Sequence, residues 1–438
     1  MLSSRLPFNR PPFLGGSRPQ PVLGFDFVQS PSLVAGRGGQ TITFTRATSA
    51  WYFNSAGVLT DAGSGNPRFD YDPVTLAARG LLVEEARTNI CIRSEEFDNA
   101  AWVKTDTTIT ANNITSPDGT TDADLLTEGV AGTATVVSTA FTITANGTIA
   151  VSCFLKRGNT DWVVVNFNSG ANNLYKWFNL ATGAIGSNSV TGTGVFFGGS
   201  GKVQTLPNGW YRCSFAGTVG SGLTTAVIIT SSASADASFT RVNNATRYQF
   251  GAMVEDNNTF PTSYIKTTSA AVPRNIDSAL INTLTPWYNQ SEGTFVAQFD
   301  VSATTTDALG RVAFAVGDPA IAFGSAEAIY AGRSASLAAS TYVIIDGGAN
   351  QVGMAPGNLT IDVAAKIAMC YKLNDCAASV NGAAAVTDVV ATMPTPTAMS
   401  IGSAINGWTS GLSGLNGHIR SLSYYPRSLK NQLQQLST

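Results

Sequence analysis

Charge is the scarcest property of this 438-residue chain. Only 12% of its residues are Asp, Glu, Lys or Arg, and they balance to a net charge of −2. An ordinary soluble domain carries about 25% charged residues. A chain so near neutral has no cationic field with which to displace counterions from a phosphate backbone, which excludes nucleic-acid binding as a main role. Histidine is scarcer still. His418 is the only one, so a multi-histidine metal centre is excluded and Ser-His or Cys-His chemistry has a single candidate base. Five cysteines (Cys91, Cys153, Cys213, Cys370, Cys376) are too few and too scattered for a disulfide scaffold, and an odd number leaves one thiol free or intermolecular. No run approaches the ~18 apolar residues of a spanning helix, so no membrane insertion is expected. Residues 1–10 lack the apolar stretch of a signal peptide, which predicts synthesis in a cytosol without export by that route. Neither heptads nor a repeat of 20–50 residues is present, which argues against a coiled coil, a propeller or a β-helical spike.

Thr, Ser, Asn and Gly supply the polarity instead, with 43 glycines in all. The hydrophobic share of 44% over this length is enough for several cores. Six of the 18 prolines (Pro7, Pro11, Pro12, Pro19, Pro21, Pro31) fall in the first forty residues, beside Arg5, Arg10, Arg18 and Arg37. Proline fixes φ and removes a donor, so residues 1–40 read as an extended arm and not as a central strand or helix. The interleaved Leu2, Leu6, Phe8, Phe13, Leu14, Phe25 and Phe27 set docking onto another surface beside the alternative of a disordered tail. The candidate anchoring residues are Leu6, Phe8, Arg10, Phe13 and Arg18.

Beyond the arm the pattern is strand, turn, strand. Tyr211, Cys213 and Phe215 alternate with Trp210, Arg212 and Ser214, and Phe295, Ala297 and Phe299 form another period-two face. Asn-Gly pairs at 146–147, 208–209, 381–382, 406–407 and 416–417 mark hairpins, because a type I′ turn needs φ > 0 at both central residues. Many short strands with such punctuation predict an all-β protein of sandwiches or barrels. Helices are few: Ser428 is expected to cap a C-terminal helix with Leu429, Leu433 and Leu436 on one face, packed on a sandwich edge. Leu125-Leu126 is a candidate for one further turn.

Three sets of motifs carry a resemblance. The first is Phe44-Thr-Arg-Ala-Thr-Ser-Ala50, Asn66-Pro-Arg-Phe-Asp-Tyr-Asp72 and Gly80-Leu-Leu-Val-Glu-Glu-Ala-Arg-Thr-Asn89, closing with Ser94-Glu-Glu-Phe97 and Trp102. The second is Leu206-Pro-Asn-Gly-Trp-Tyr-Arg212, Gly251-Ala-Met-Val-Glu255, Phe260-Pro-Thr-Ser-Tyr-Ile265 and Pro273-Arg-Asn-Ile-Asp277. The third is Leu415-Asn-Gly-His-Ile-Arg420 with Tyr424-Tyr-Pro-Arg427. The first two resemble a module of tailed-bacteriophage virion proteins, and the third resembles the last strand of concanavalin A/laminin-G-like lectin sandwiches. The resemblance implies an arm (1–40), a collar (41–94), a carbohydrate-binding-module-like jelly roll (95–277) and a lectin-like sandwich (285–438). It transfers no defined set of sugar-binding residues.

The collar concentrates charge: Arg46, Arg68, Arg79, Arg87 and Arg93 face Asp70, Asp72, Glu84, Glu85, Glu95 and Glu96. These groups either lock arm and domains together through Arg–carboxylate forks or form ordinary surface pairs. Carboxylate pairs such as Glu255/Asp256, Asp318/Glu327 and Asp346/Asp375 sit in no acid/base motif, and His418 follows no nucleophile elbow, so no catalytic residue is expected. Glycan binding calls for exposed rings and amides; the candidates are Trp408, Trp177, Trp287 and Tyr288, while Trp102, Trp162 and Trp210 read as core. No cofactor is expected; for calcium the one suggestive stretch is Asp256-Asn257-Asn258.

The expectation is therefore a non-enzymatic virion surface protein made in the host cytoplasm, a fibre or spike that binds host surface polysaccharide. Its partners would be other virion proteins (capsid, portal or tail), met through the arm, and further copies of itself, as a trimer. A purely structural decoration protein and a glycan-degrading enzyme are the alternatives.

Overall fold

The computed structural model describes residues 19–438 apart from 131–134, 139, 144–146, 171, 198–200, 220–223, 235–240, 303–309, 321–326, 335–337 and 405–411. As the alternation of the sequence predicts, the protein is all-β, built as two sandwiches of sheets that are antiparallel but for a short parallel pairing of Leu412–Ser413 with Gly310–Gly317.

In the first sandwich one sheet runs, edge to edge, Val195–Phe196, Trp210–Thr218, Thr148–Arg157, Thr246–Asp256, Thr121–Glu128 and Thr107–Thr115. The facing sheet runs Ile185–Thr191, Asn172–Asn179, Trp162–Ser169, Thr224–Ser232, Thr135–Val137 and Val103–Thr105. Successive side chains point to opposite faces, so Val151, Cys153 and Leu155 of one sheet meet Val163, Val165 and Phe167 of the other in a closed apolar core. The outer face of the first sheet is also covered: Phe154, Phe250 and Met253 pack under Phe53 and Leu59 of the small hairpin Trp51–Phe53/Leu59–Asp61, and under Tyr264. Leu125 and Leu126 lie in the strand Thr121–Glu128 and form no helical turn, because pairing on both sides fixes them extended.

The second sandwich takes strands from both ends of the chain. One sheet is Val386–Asp388, Cys376–Val380, Ala365–Lys372, Glu292–Phe299, Gly417–Tyr425, Ala78–Val83 and Arg68–Tyr71. The other is Thr43–Thr45, Ser278–Ile281, Ala398–Ile401, Gly310–Gly317, Ala328–Arg333, Ser340–Asp346 and Ala349–Met354. Residues 41–94 are thus not a separate collar, since their strands are shared out among the sheets. Gly80 shows why its motif needs glycine: its φ is +110°, and a Cβ there would stand 2.3 Å from the Ile419 carbonyl oxygen of the neighbouring strand.

The arm is shorter than its prolines imply. Leu23–Asp26 is a strand paired with Gly417–Tyr425, register Leu23 to Tyr424, and Leu23, Phe25 and Phe27 are buried in the core of the second sandwich. The prolines at 19, 21 and 31 flank this strand without entering it, so they permit the pairing. The anchoring candidates Leu6, Phe8, Arg10, Phe13 and Arg18 lie outside the described residues.

At the C-terminus a 3-10 turn Lys430–Gln432 leads into the short helix Leu433–Leu436, with no side-chain cap from Ser428. Leu429 and Leu433 cover the outer face of the sheet, not its edge, over Val296, Ala368, Cys370 and Ala377. Two Asn-Gly pairs form turns with both residues at φ > 0, Asn208-Gly209 and Asn381-Gly382; at Asn416-Gly417 only the asparagine does. Asn146 and the 406–407 pair lie outside the described residues.

Because Phe25 belongs to the core, Phe25→Ala is expected to lower stability by about 3–5 kcal/mol, read as a fall in the urea unfolding midpoint. An unchanged midpoint would remove residues 23–27 from the folded body.

Candidate functional site: the junction between the sandwiches

The charged residues of residues 41–94 divide into two groups. Arg79–Asp72 (3.1 Å) and Arg93–Glu96 (2.8 Å) are partly exposed pairs of the ordinary kind. Arg46 and Arg68, by contrast, are buried and both reach Asp277, at 2.9 and 2.5 Å. Arg68 and Arg274 both reach Glu84, at 2.6 and 2.8 Å. Glu84 also accepts the Ser263 N–H (2.8 Å) and hydroxyl (2.6 Å), and Asp277 accepts the Glu84 N–H at 2.9 Å. Burial alone would raise the Glu84 pKa; Arg274, Arg68 and the Ser263 donors outweigh it and hold the carboxyl well below its usual range. Next to this cluster Glu85 pairs with Arg87 and, at 2.9 Å, with Arg311. Both guanidiniums lie against the ring of Phe260, at 5.9 and 5.4 Å, and Phe260, just beyond the strand Thr246–Asp256, belongs to the core of the second sandwich. Asn89, wholly buried, donates to the Ala252 and Ile265 carbonyls and accepts from the Cys91 and Val254 N–H groups. Motif residues spread across the chain therefore meet in one desolvated joint.

His418 closes the joint on the side of the second sandwich. Gly417 lets its strand press on the next one: a Cβ there would lie 2.1 Å from the Asp300 carbonyl oxygen. The buried imidazole donates from Nδ1 to Asp300 (2.9 Å) and from Nε2 to Asp70 (3.0 Å), and Asp70 also accepts the Phe53 N–H at 2.8 Å. Burial would depress the His418 pKa; Asp300 and Asp70 overcome this and push it up to about 9. Burial likewise tends to raise Asp300, but the histidine beside it holds its pKa below the ordinary carboxylate value. At neutral pH the ring is a cation with both N–H groups committed, which leaves no lone pair for general-base work.

Above the joint opens a cleft of about 730 Å³ with walls from both sandwiches, including Lys202 and Gln204 of the first and Asp72, Arg79, Asp300, Asp362 and Arg420 of the second. Lys202 and Asp362 pair across it at 2.7 Å. A recess of about 110 Å³ continues it inward to Arg212, Ser263 and Tyr52. Arg79, Lys202, Gln204, Ser302 and His418 line both.

None of the described aromatic candidates lies at this cleft. Trp177 is 1% exposed and its indole N–H donates to Ser232 at 3.2 Å. Trp287 is 5% exposed and packs edge-on against Tyr424, and half-buried Tyr288 stacks on Tyr371 and Tyr424. A buried ring offers no face to a sugar, so Trp177 and Trp287 are corrected to core residues; Trp408 lies outside the described residues. At Asp256-Asn257-Asn258 side-chain oxygens of Asp256 and Asn258 accept the N–H groups of Asn257 and Thr259. Among the described residues no group of three His, Cys, Asp or Glu is placed to hold a metal. Glu255 is wholly buried on Thr262, and Glu327 accepts the Gly347 and Thr395 N–H groups. The residues that sequence reasoning did not connect are Asp70, Asp300 and His418, and Lys202, Gln204 and Arg212; only the charge concentration over 46–96 pointed toward them.

No family model matches the chain, and no curated protein matches it in sequence. Among solved structures, domains LG4-5 of the mouse laminin α1 chain are 10% identical over 65% of this chain and 85% of theirs, with a TM-score of 0.24. A Trypanosoma rangeli sialidase in complex with the inhibitor DANA is 10% identical over 90% and 93%, TM-score 0.28. A xylan β-1,4-xylosidase from Bacillus halodurans C-125 is 9% identical over 74% and 77%, TM-score 0.20. At these scores no site or activity passes to this chain, whose class is an all-β protein of two sandwiches.

Two outcomes follow. Asp277→Ala strips two buried guanidiniums of a shared carboxylate and is expected to cost about 3–5 kcal/mol in unfolding free energy; a cost below about 1 kcal/mol would show the cluster to be dispensable. His418, raised from 6.5 to about 9 on folding, contributes stability that is fully present below pH 6.5 and lost as pH rises through 9. Unfolding midpoints should therefore fall between those limits, by at most about 1.4 kcal/mol per pH unit, and His418→Gln should flatten that slope.

Proposed function

We propose that the protein is a virion surface protein of a tailed bacteriophage, a fibre or spike whose sandwiches bind host surface glycans and which is held to the particle by the residues ahead of its first strand. The observation that carries this reading is the convergence at the junction. The residues behind the resemblance (Arg46, Arg68, Glu84, Asn89, Arg274, Asp277, His418) are buried together and fix two sandwiches around a polar cleft. Such a joint suits a protein that presents a recognition surface at a fixed angle. The cleft lies within the usual size of small-ligand sites, about 300–1,000 Å³, and its amide and ion-paired groups match sugar hydroxyls.

The reading is non-enzymatic. The one histidine has both ring nitrogens taken, and the innermost carboxylates are occupied by arginines or backbone donors. A weak glycan site gains avidity when many copies are displayed, and a trimer on the particle surface would supply them, assembled from copies made in the host cytoplasm. The burial of Trp177 and Trp287 favours a second reading, a purely structural decoration or adaptor protein.

Testing uses the full chain and a variant lacking residues 1–18, on a glycan array and in particle assembly. Both proteins are expected to bind the same glycans, and only the full chain to enter particles. No glycan bound by either protein would favour decoration; equal incorporation of the variant would end the anchoring role; loss of polymer length on incubation with bound polysaccharide would make the protein an enzyme.

A further inference from the structure

We propose that the recess at the base of the junction cleft is a carboxylate subsite, so that the glycan taken by this protein carries a uronic acid or another carboxyl-bearing sugar. This rests on the glycan reading above and names its ligand class.

The recess is built around Arg212, on the strand Trp210–Thr218. One guanidinium nitrogen, Nη2, donates to the Ser152 hydroxyl at 3.0 Å and to the Thr262 carbonyl at 2.7 Å, and the group lies over the Phe154 ring at 5.5 Å. These contacts hold its plane in place. Its Nε is buried and bonded to nothing. Every other cation lining the cleft and recess has a carboxylate: Arg79 has Asp72, Lys202 has Asp362, His418 has Asp300 and Asp70, and Arg420 approaches Asp300 at 3.8 Å. Among the described residues Arg212 has no carboxylate within ion-pair distance, although Glu255 and Glu84 act on it from farther away. The protein's own candidates are already engaged, Glu84 by Arg68, Arg274 and Ser263, and Glu255 by Thr262.

Burial lowers the Arg212 pKa, and Glu255 and Glu84 oppose this only from beyond ion-pair distance; a ligand carboxylate would supply the direct pair that is missing, through a charge-assisted hydrogen bond. Size points the same way. Water occupies about 30 Å³ per molecule in the liquid, so a recess of about 110 Å³ has room for a carboxyl group and its nearest atoms. The sugar rings then lie in the larger cleft, which shares the Lys202 and Gln204 wall with the recess. A neutral sugar would leave Arg212 without a direct ion pair, and sites built to hydrogen-bond a ligand group discriminate strongly against analogues lacking it.

The test places the wild-type full chain on an array of uronic-acid and sialic-acid glycans beside their neutral counterparts. The glycans bound are then re-measured by calorimetry before and after reduction of their carboxyl groups to alcohols. Carboxylated glycans are expected to be selected, reduction to weaken binding at least tenfold, and Arg212→Gln to lose a similar factor while Arg212→Lys retains part of it. Reduction acts on the ligand alone, so the result stands even if an Arg212 variant fails to fold. Selection of neutral glycans, or binding indifferent to reduction, overturns the carboxylate subsite and leaves the glycan reading intact. Binding to no glycan at all overturns both.

Discussion

The architecture depends on two buried carboxylates, Glu84 and Asp277, and the three guanidiniums of Arg46, Arg68 and Arg274 that share them. Each ion removed from water costs several kcal/mol before any attraction is counted. The arrangement persists because each carboxylate answers more than one donor: Asp277 serves two arginines, Glu84 serves two arginines and the Ser263 N–H and hydroxyl. A shared network of this kind is intolerant of displacement, since moving any one segment leaves several charges uncompensated at once. In a chain with so few charged residues, placing them here specifies the fit between sandwiches more than it adds net stability. An apolar contact slides; a set of forked hydrogen bonds does not.

That constraint also shapes the cleft. Its walls belong to different parts of the chain, and their spacing is only as well defined as the joint beneath them. Asp70 illustrates the link: one oxygen takes the Phe53 N–H of the small hairpin, the other takes His418 of the second sandwich. With the imidazole protonated between Asp70 and Asp300, the floor of the cleft is a closed ionic unit. Both ring nitrogens are taken by carboxylates, so the residue acts as a two-pronged cationic bolt.

The all-β class was legible because it depends on local alternation, as along Phe295, Ala297 and Phe299 or Tyr211, Cys213 and Phe215, and on turn residues such as Asn208-Gly209. The density of Arg and carboxylate between 46 and 96 likewise announced an ionic assembly, although not its partners. Arg68 finds Asp277 209 positions away and His418 finds Asp300 118 away, distances over which a single sequence carries no pairing signal. The failures have local causes. Proline density outweighed the apolar Leu23, Phe25 and Phe27, whose burial is decided by the strand they pair with. Trp177 and Trp287 stand in polar stretches, yet burial follows the face of the sheet and not the company in sequence. Arg212 looked like any outward residue of an alternating strand, because the hairpin and loop that roof it come from elsewhere in the chain.

The strand Gly417–Tyr425 ties these features together. Leu23–Asp26 lies along one end of it and Ala78–Val83 along the other, on the same side, while Glu292–Phe299 pairs with its opposite side. Leu23–Asp26 therefore lies beside the strand that carries His418. For a protein held by its leader, as proposed, a pull on that leader is borne first by the ladder between Leu23–Asp26 and this strand. The load passes along the strand to Gly417 and His418, and so into Asp300 and Asp70. The first described strand and the cleft thus share a single element, which the buried ionic joint holds in place.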